Sequence, residues 1–269
     1  MKALFRTLAL LAAVLPASAA LADAPLNLYL LMGQSNMAGR DTRDLASQVD
    51  DSRIFALGAD GQWQVARDPI HAKTGRAEPG VGPGIAFARE MLAAEPEQAI
   101  GLIPTAVGGT PLRRWVKGGD LYEQALASAR QAMARGELCG VLWHQGESDA
   151  NDVKNAATHA ERLAQMFQDL RADLGRPDLP IVVGQIGEFL LPAKQPEAAT
   201  VRAGLRGLPA ALPRVGFADS AGLTHLGDDL HFSADASHEL GRRFARAMLQ
   251  LKVAPTAAAA TSPQLAVRR

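Results

Sequence analysis

Residues 29–41 read "YLLMGQSNMAGRD". Together with Leu26, Asn27 and Leu28, the first four form an apolar run that ends abruptly at Gly33, Gln34, Ser35 and Asn36. A strand with one wet face alternates apolar and polar residues. One that is apolar throughout is covered on both faces, as in a parallel sheet flanked by helices. The polar knot after it is either a plain turn or a turn that presents a reactive serine, and residues elsewhere in the chain decide which.

Four more runs repeat the pattern: "AIGLIPTAV" (99–107), "LCGVLWH" (138–144), "IVVGQIG" (181–187) and "RVGFADS" (214–220). Between and after them lie stretches with helical spacing. Ile85, Phe87, Ala88, Met91 and Leu92 share a face in 84–95. Residues 120–136 begin at a capping Asp120 and stop at Gly136. Leu163, Met166, Phe167, Leu170 and Leu174 line one side of 155–175, and 234–251 closes the chain. Strands alternating with helices predict an α/β fold, a mainly parallel sheet with right-handed crossovers. Residues 41–83, rich in Gly, Pro, Asp and Arg, predict an insertion of loops with a small β-hairpin that flanks the site.

The ends read differently. Lys2 and Arg6 precede an apolar stretch and then small residues, the pattern of a secretory signal peptide over 1–22, with cleavage after Ala22 or, alternatively, Ala19. That run is too short to span a bilayer and contains Pro16, so export to the periplasm or the medium is expected, without stable membrane insertion. The folded domain is expected over 23–252. The tail 253–269, "VAPTAAAATSPQLAVRR", has few anchors and reads as disordered. Basic and acidic residues balance at 28 each, which gives no electrostatic footprint for nucleic acid. The single cysteine, Cys139, sits in an apolar run and cannot form an internal disulfide.

In open α/β sheets, ligands bind beyond the carboxyl ends of the strands. The segments found there are Gly33–Asn36, Gly108–Thr110, His144–Asp149, Gly187–Glu188 and "GLTHLGDDLHF" (222–232). A nucleophilic serine needs a base, and the base needs an orienting group. His231 follows Asp228 by three residues, a spacing that lets the carboxylate reach the imidazole. Asp229 is the weaker alternative, and His225 has no Asp three residues before it. Donors for an oxyanion are expected from the amide of Ser35, a glycine amide of "VGGT" and the side chain of Gln145. No H-x-x-x-H or cysteine pair suggests a metal, and "GVGPG" lacks the lysine of a phosphate loop, so no metal or cofactor is expected. "GQSNM" also lacks the second glycine of the G-x-S-x-G elbow.

The blocks "MGQSNMAGR", "VGGTPLRRW", "VLWHQGESDA" and "DDLHFS" resemble, in this order, the four sequence blocks of the SGNH hydrolase superfamily. They are most similar to its sialate O-acetylesterase-like and carbohydrate esterase family 6 branch. The resemblance runs from about Leu26 to Leu249. It implies a three-layer, flavodoxin-like α/β/α fold and metal-independent ester hydrolysis, with an acetylated carbohydrate or a small-molecule ester as the expected partner. By position it matches Ser35 to the nucleophile, Asp228 and His231 to the acid and base, Gln145 to the oxyanion side chain, and Gly109 in preference to Gly108 to the second oxyanion amide. Gln34, Asn36, Gly108, Trp115, His144 and Glu147 are further candidates for touching substrate or bracing the site. Glu147 and Asp149 suit a loop-holding role and His144 packing. Trp115 and Trp63 suit either stacking on a sugar or ordinary packing. A carbohydrate-binding protein without turnover and an acyltransferase remain open as alternatives on the same fold.

Overall fold

The computed structural model describes residues 25–43, 45, 50–74 and 77–253. The expected signal peptide and, apart from Val253, the expected disordered tail lie outside these residues. The chain builds seven strands: β1 (Leu26–Gly33), β2 (Ile54–Leu57), β3 (Trp63–Val65), β4 (Ile100–Pro104), β5 (Gly136–His144), β6 (Ile181–Gly184) and β7 (Val215–Ala218). They form one sheet in the order β3-β2-β4-β1-β5-β6-β7. Every neighbouring pair is parallel except β2 and β3, whose antiparallel hairpin makes one edge. The hairpin expected in 41–83 is therefore present, but it extends the main sheet at its edge, and other parts of the insertion approach the site.

The helices are α1 (Ser35–Ala38), α2 (Gly84–Ala94), α3 (Asp120–Ala132), α4 (Val153–Asp173), α5 (Ala198–Ala211) and α6 (Ala234–Val253). The residues of β1 show why the sheet has two covered faces. Leu26, Leu28, Leu30 and Met32 enter one core with α3, α4 and α5, while Tyr29 and Leu31 enter the other with α2 and α6. The period-2 alternation of a strand serves both cores at once, which is why the run is apolar from Leu28 to Met32. Aromatic pairs fix each side. Tyr29 meets Phe87 edge-on at 4.8 Å on one, and Trp143 lies between Trp115 at 5.6 Å and Phe167 at 6.1 Å on the other. The three-layer α/β/α expectation holds.

Some boundaries and one whole helix differ from the sequence expectation. The β4, β6 and β7 strands are shorter than their apolar runs, because the later residues of each run turn into the loops that build the site. Gly136 opens β5 instead of ending α3. Asp120 is the first residue of α3 and pairs with Arg114, and Gly119 holds the cap position. The sequence reading placed no helix over 198–211. Gly204, Gly207 and Pro209 weaken its intrinsic propensity. Burial of Val201, Leu205 and Leu208 supplies the stabilisation, and Gly204 lets α5 approach Ala160 of α4, where a Cβ would come within 2.9 Å of the alanine Cβ.

The strand order explains the position of the site. The strands β1 and β5 are adjacent at the centre, and the chain leaves them toward opposite edges of the sheet. The crevice beyond their carboxyl ends is the topological switch point, where ligands bind in open α/β sheets. Gly33 and His144 are the last paired residues of the two strands. Gly33 has φ +133°, and a Cβ there would fall onto the carbonyl oxygen of His144, so only glycine lets the chain turn here.

Candidate active site

The turn after β1 is closed by hydrogen bonds to the neighbouring strand and within itself. Gln34 N–H donates to the His144 carbonyl at 2.9 Å, and Met37 and Ala38 donate back to the Gln34 carbonyl. Ser35 thus begins the single turn of α1, nearly buried at 4 % exposure but bordering a cleft. Among the described residues its backbone N–H has no protein acceptor, as expected for the first residue of a helical turn.

His231 meets this serine from 196 residues away in the chain. Its Nε2 lies 3.0 Å from Ser35 Oγ, and its Nδ1 lies 2.6 Å from Asp228 Oδ2. The other carboxylate oxygen, Asp228 Oδ1, accepts from the backbone N–H groups of Leu230 at 3.0 Å and His231 at 2.8 Å. Burial works to raise the Asp228 pKa, but those two amides and the imidazole outweigh it, so the carboxyl is held below its ordinary value. Asp229 is turned elsewhere, to Lys194 and His225. His225 accepts from the N–H groups of Gly227 and Asp229 and plays no part in the serine–histidine line.

The Asn36 amide holds the end of the "DDLHF" segment, the Glu147 carboxylate holds that amide, and the Asp41 carboxylate holds Ala234 just beyond. Asp41 Oδ2 accepts from Ala234 N–H at 2.9 Å, at the start of α6, and is itself held ionised mainly by Arg43. Asn36 Oδ1 accepts from Phe232 N–H at 3.0 Å. Its Nδ2 donates to the Leu230 carbonyl at 3.2 Å and to Glu147 Oε1 at 2.6 Å. Asn36 therefore ties three loops together and braces the site instead of contacting substrate. Glu147 has two aspects, since it accepts from Asn36 and also borders the cleft.

The loop after β4 brings Gly108 and Gly109 to the opposite wall. Gly109 has φ +70° with open space around it, and among the described residues its N–H has no protein acceptor. The amides of Ser35 and Gly109 are thus free donors on two sides of one cleft. Thr110 and Asp149 shape this loop. Thr110 Oγ1 donates to the Val107 carbonyl and accepts from Trp115 Nε1, and Asp149 Oδ2 accepts from Leu112 N–H at 2.8 Å.

Gln145 departs from its expected place. It is fully buried, its Nε2 donates to the Thr110 carbonyl at 3.1 Å and to Asp149 Oδ2 at 2.6 Å, and its Oε1 pairs with His159 Nε2 at 3.0 Å. Both amide hydrogens are used, so Gln145 holds the glycine loop in shape and leaves no donor for an oxyanion. Trp115 is also corrected as a sugar platform. It is fully buried in the core, and Trp63 packs on Gly101 at the sheet edge. His144 is buried too, with Nε2 against the Gln185 carbonyl and its ring edge-on to Phe232, a packing role.

The cleft has a volume of about 400 Å³. Its wall includes Gln34, Ser35, Gly108, Gly109, Glu147 and His231, with Thr74 and Ala77 from the insertion. Gln34 Oε1 also accepts from Ser148 N–H at 3.4 Å. Arg40, at the end of the "GQSNMAGR" block, lines the same cleft and was missed from sequence, although its nearness to Ser35 in the chain was a usable signal. Among the described residues no group of three or more His, Cys, Asp or Glu is arranged to hold a metal, and no helix is long and apolar enough to cross a membrane. The arrangement can abstract a proton from Ser35 Oγ, orient the imidazolium that forms, and receive a negative oxygen between two amides.

Comparison with known proteins gives the family of the chain. The family described as carbohydrate esterase, sialic acid-specific acetylesterase, matches residues 25–250. A probable carbohydrate esterase of Arabidopsis thaliana is 34% identical over 247 residues, 84% of this chain and 91% of the relative. A solved structure of an Arabidopsis thaliana protein superposes with a TM-score of 0.77 at 33% identity, covering 84% of this chain and 99% of the other. A novel carbohydrate acetylesterase from Xanthomonas citri shares the fold, with a TM-score of 0.64 at 22% identity over 84% of this chain and 56% of the other.

Proposed function

This chain belongs to the sialic acid-specific acetylesterase family of carbohydrate esterases, and from that premise we propose that it removes O-acetyl groups from a carbohydrate through an acyl-serine intermediate. The observation that carries the reading is the unbroken line from Asp228 through His231 to Ser35, at 2.6 and 3.0 Å.

Ser35 Oγ attacks the ester carbonyl while His231 Nε2 takes its proton. Asp228 holds Nδ1–H, which fixes the tautomer and stabilises the imidazolium. The carbonyl electron pair moves onto oxygen, which the amides of Ser35 and Gly109 receive. Collapse expels the sugar alkoxide, protonated by His231, and leaves acetyl on Ser35. Water, deprotonated by His231, then attacks this ester, and on collapse the bond to Ser35 Oγ breaks as His231 returns the proton to it, so that acetic acid leaves and the serine is restored. No step calls for a metal or cofactor. The names of the relatives support a carbohydrate substrate. The amino-terminal pattern supports export, which would bring the enzyme to extracellular or periplasmic glycans.

The test is acetate release from a panel of acetylated glycans, by the full chain and by Ser35→Ala. Loss of the nucleophile costs on the order of a millionfold in a serine protease, so the variant should show no turnover above background. A Ser35→Ala variant that keeps the wild-type rate contradicts the proposal.

A further inference from the structure

A second cavity of about 200 Å³ lies beside the cleft, between the insertion, the residues that follow β4, and α3, and the reaction above leaves it unused. We propose that this cavity is a carbohydrate subsite, which holds the neutral sugar unit next to the acetylated one and makes an acetylated oligosaccharide the preferred substrate. The inference rests on the esterase reading above.

The two spaces adjoin. Thr74 borders both, and Val107 lines the second cavity while the next residue, Gly108, lines the cleft. A Cβ on Gly108 would lie 3.7 Å from Ser35 Cβ, so the boundary stands beside the nucleophile. A sugar whose ester sits at Ser35 therefore has this cavity within reach of the unit attached to it.

The lining selects the chemistry of the occupant. Gln124, Ser128 and Gln131 stand at i, i+4 and i+7 of α3, a spacing that puts them on one helix face, and all three line the cavity. Among the described residues none of their side chains is hydrogen-bonded within the protein. His71 closes another side. It is 3 % exposed, and neither of its ring nitrogens has a partner among the described residues. Burial pushes its pKa down to about 3, so the ring is neutral and carries one N–H donor and one acceptor.

No Asp, Glu, Lys or Arg lines the cavity, so an ionic ligand finds no counter-charge there. Amides, hydroxyls and a neutral imidazole both donate and accept, which matches sugar hydroxyls. Ile70 and Ile103 supply an apolar side for ring C–H groups. An acyl chain would instead leave the amides and the imidazole without partners, and unsatisfied buried polar groups are costly. Binding a unit remote from the ester raises kcat/KM when that contact persists in the transition state.

The experiment measures kcat/KM for acetylated xylose, acetylated N-acetylglucosamine and acetylated sialic acid, each alone and joined to one or two neutral sugars. Wild type should favour the joined form of at least one of them by about tenfold, the worth of one or two hydrogen bonds. In the double variant Gln124→Ala, Gln131→Ala that ratio should fall toward one. Both positions are exposed on α3, and alanine favours a helix, so the fold is kept. Ser128→Trp, which fills the cavity, should abolish the same preference, and the double variant decides alone if Ser128→Trp does not fold. A ratio near one for all three sugars in wild type overturns the inference. So does a preference that the double variant retains. Failure of the wild-type chain to turn over any acetyl ester, a simple aryl acetate included, would instead refute the esterase reading itself.

Discussion

Asn36 Nδ2 donates to Glu147 Oε1 at 2.6 Å in a buried contact that joins the turn after β1 to the turn after β5. The same side chain holds Leu230 and Phe232 on either side of His231. One amide thus sets the distance between nucleophile and base.

Asn36→Ala removes three hydrogen bonds at once and strands the Glu147 carboxylate, whose Oε2 already has no partner. A buried polar group left unsatisfied costs about 1–3 kcal/mol, more when charged. The expected result is a melting temperature lower by roughly 5–10 °C, together with a lower kcat on acetyl esters. An unchanged melting curve would show that Asn36 is not the brace described.

Asp228→Asn keeps the size of the side chain but favours the wrong imidazole tautomer. The equivalent exchange in a serine protease lowers kcat about 10⁴-fold with geometry intact. A comparable loss is expected here, with the circular dichroism spectrum unchanged. Asp229→Asn, by contrast, should leave kcat near wild type, because Asp229 faces Lys194 and His225.

Gln145→Leu tests the loop-holding role. It leaves Asp149 Oδ2 and the Thr110 carbonyl without the donor they now share. Urea unfolding should show a loss on the order of 2–4 kcal/mol. Arg40→Ala, which breaks only one hydrogen bond to the protein, should unfold near the wild-type midpoint. If both variants show wild-type stability, Gln145 is not the scaffold residue inferred.

Asp68 gives a pH dependence opposite in sign to that of Asp41 and Asp228. Burial pushes its carboxyl up from 3.8 to about 7, against weaker opposing contacts from Gly82, Arg89 and Ile70. A folded-state pKa above the unfolded one favours the protonated form. That contribution is fully present below the unfolded value and is lost as pH rises through about 7. Asp68→Asn keeps a neutral side chain at every pH, so it should gain stability relative to wild type between about pH 4 and pH 8. Denaturant midpoints of both proteins across that range check the sign. A difference that does not change with pH would refute it.

Much of this was legible in the residues. The apolar run of β1 announces a strand covered on both faces, because each face needs alternate residues and from Leu28 to Met32 none is left for solvent. The Asp228–His231 spacing and the position of Ser35 at a strand end lead to the same cleft that the structure shows. The helix over 198–211 was hidden, since Gly204, Gly207 and Pro209 argue locally against it and only the packing of Val201, Leu205 and Leu208 on the neighbouring elements decides. Gln145 and Arg40 could not be told apart in role from sequence. Both stand next to key residues, and what separates them is where each polar head points. Gln145 turns inward because Thr110, Asp149 and His159 satisfy its whole amide. Arg40 reaches the cleft because Gly108 leaves it room.

The central claim is that Ser35 carries the acyl group. The full chain mixed with an excess of aryl acetate, quenched in acid within the first turnovers and digested to peptides, tests it most directly. The account predicts the mass of one acetyl group on the peptide containing Ser35, localised to that residue, and none in Ser35→Ala. Acetate release with Ser35 unmodified at every quench time, or with acetyl on another residue, would contradict it.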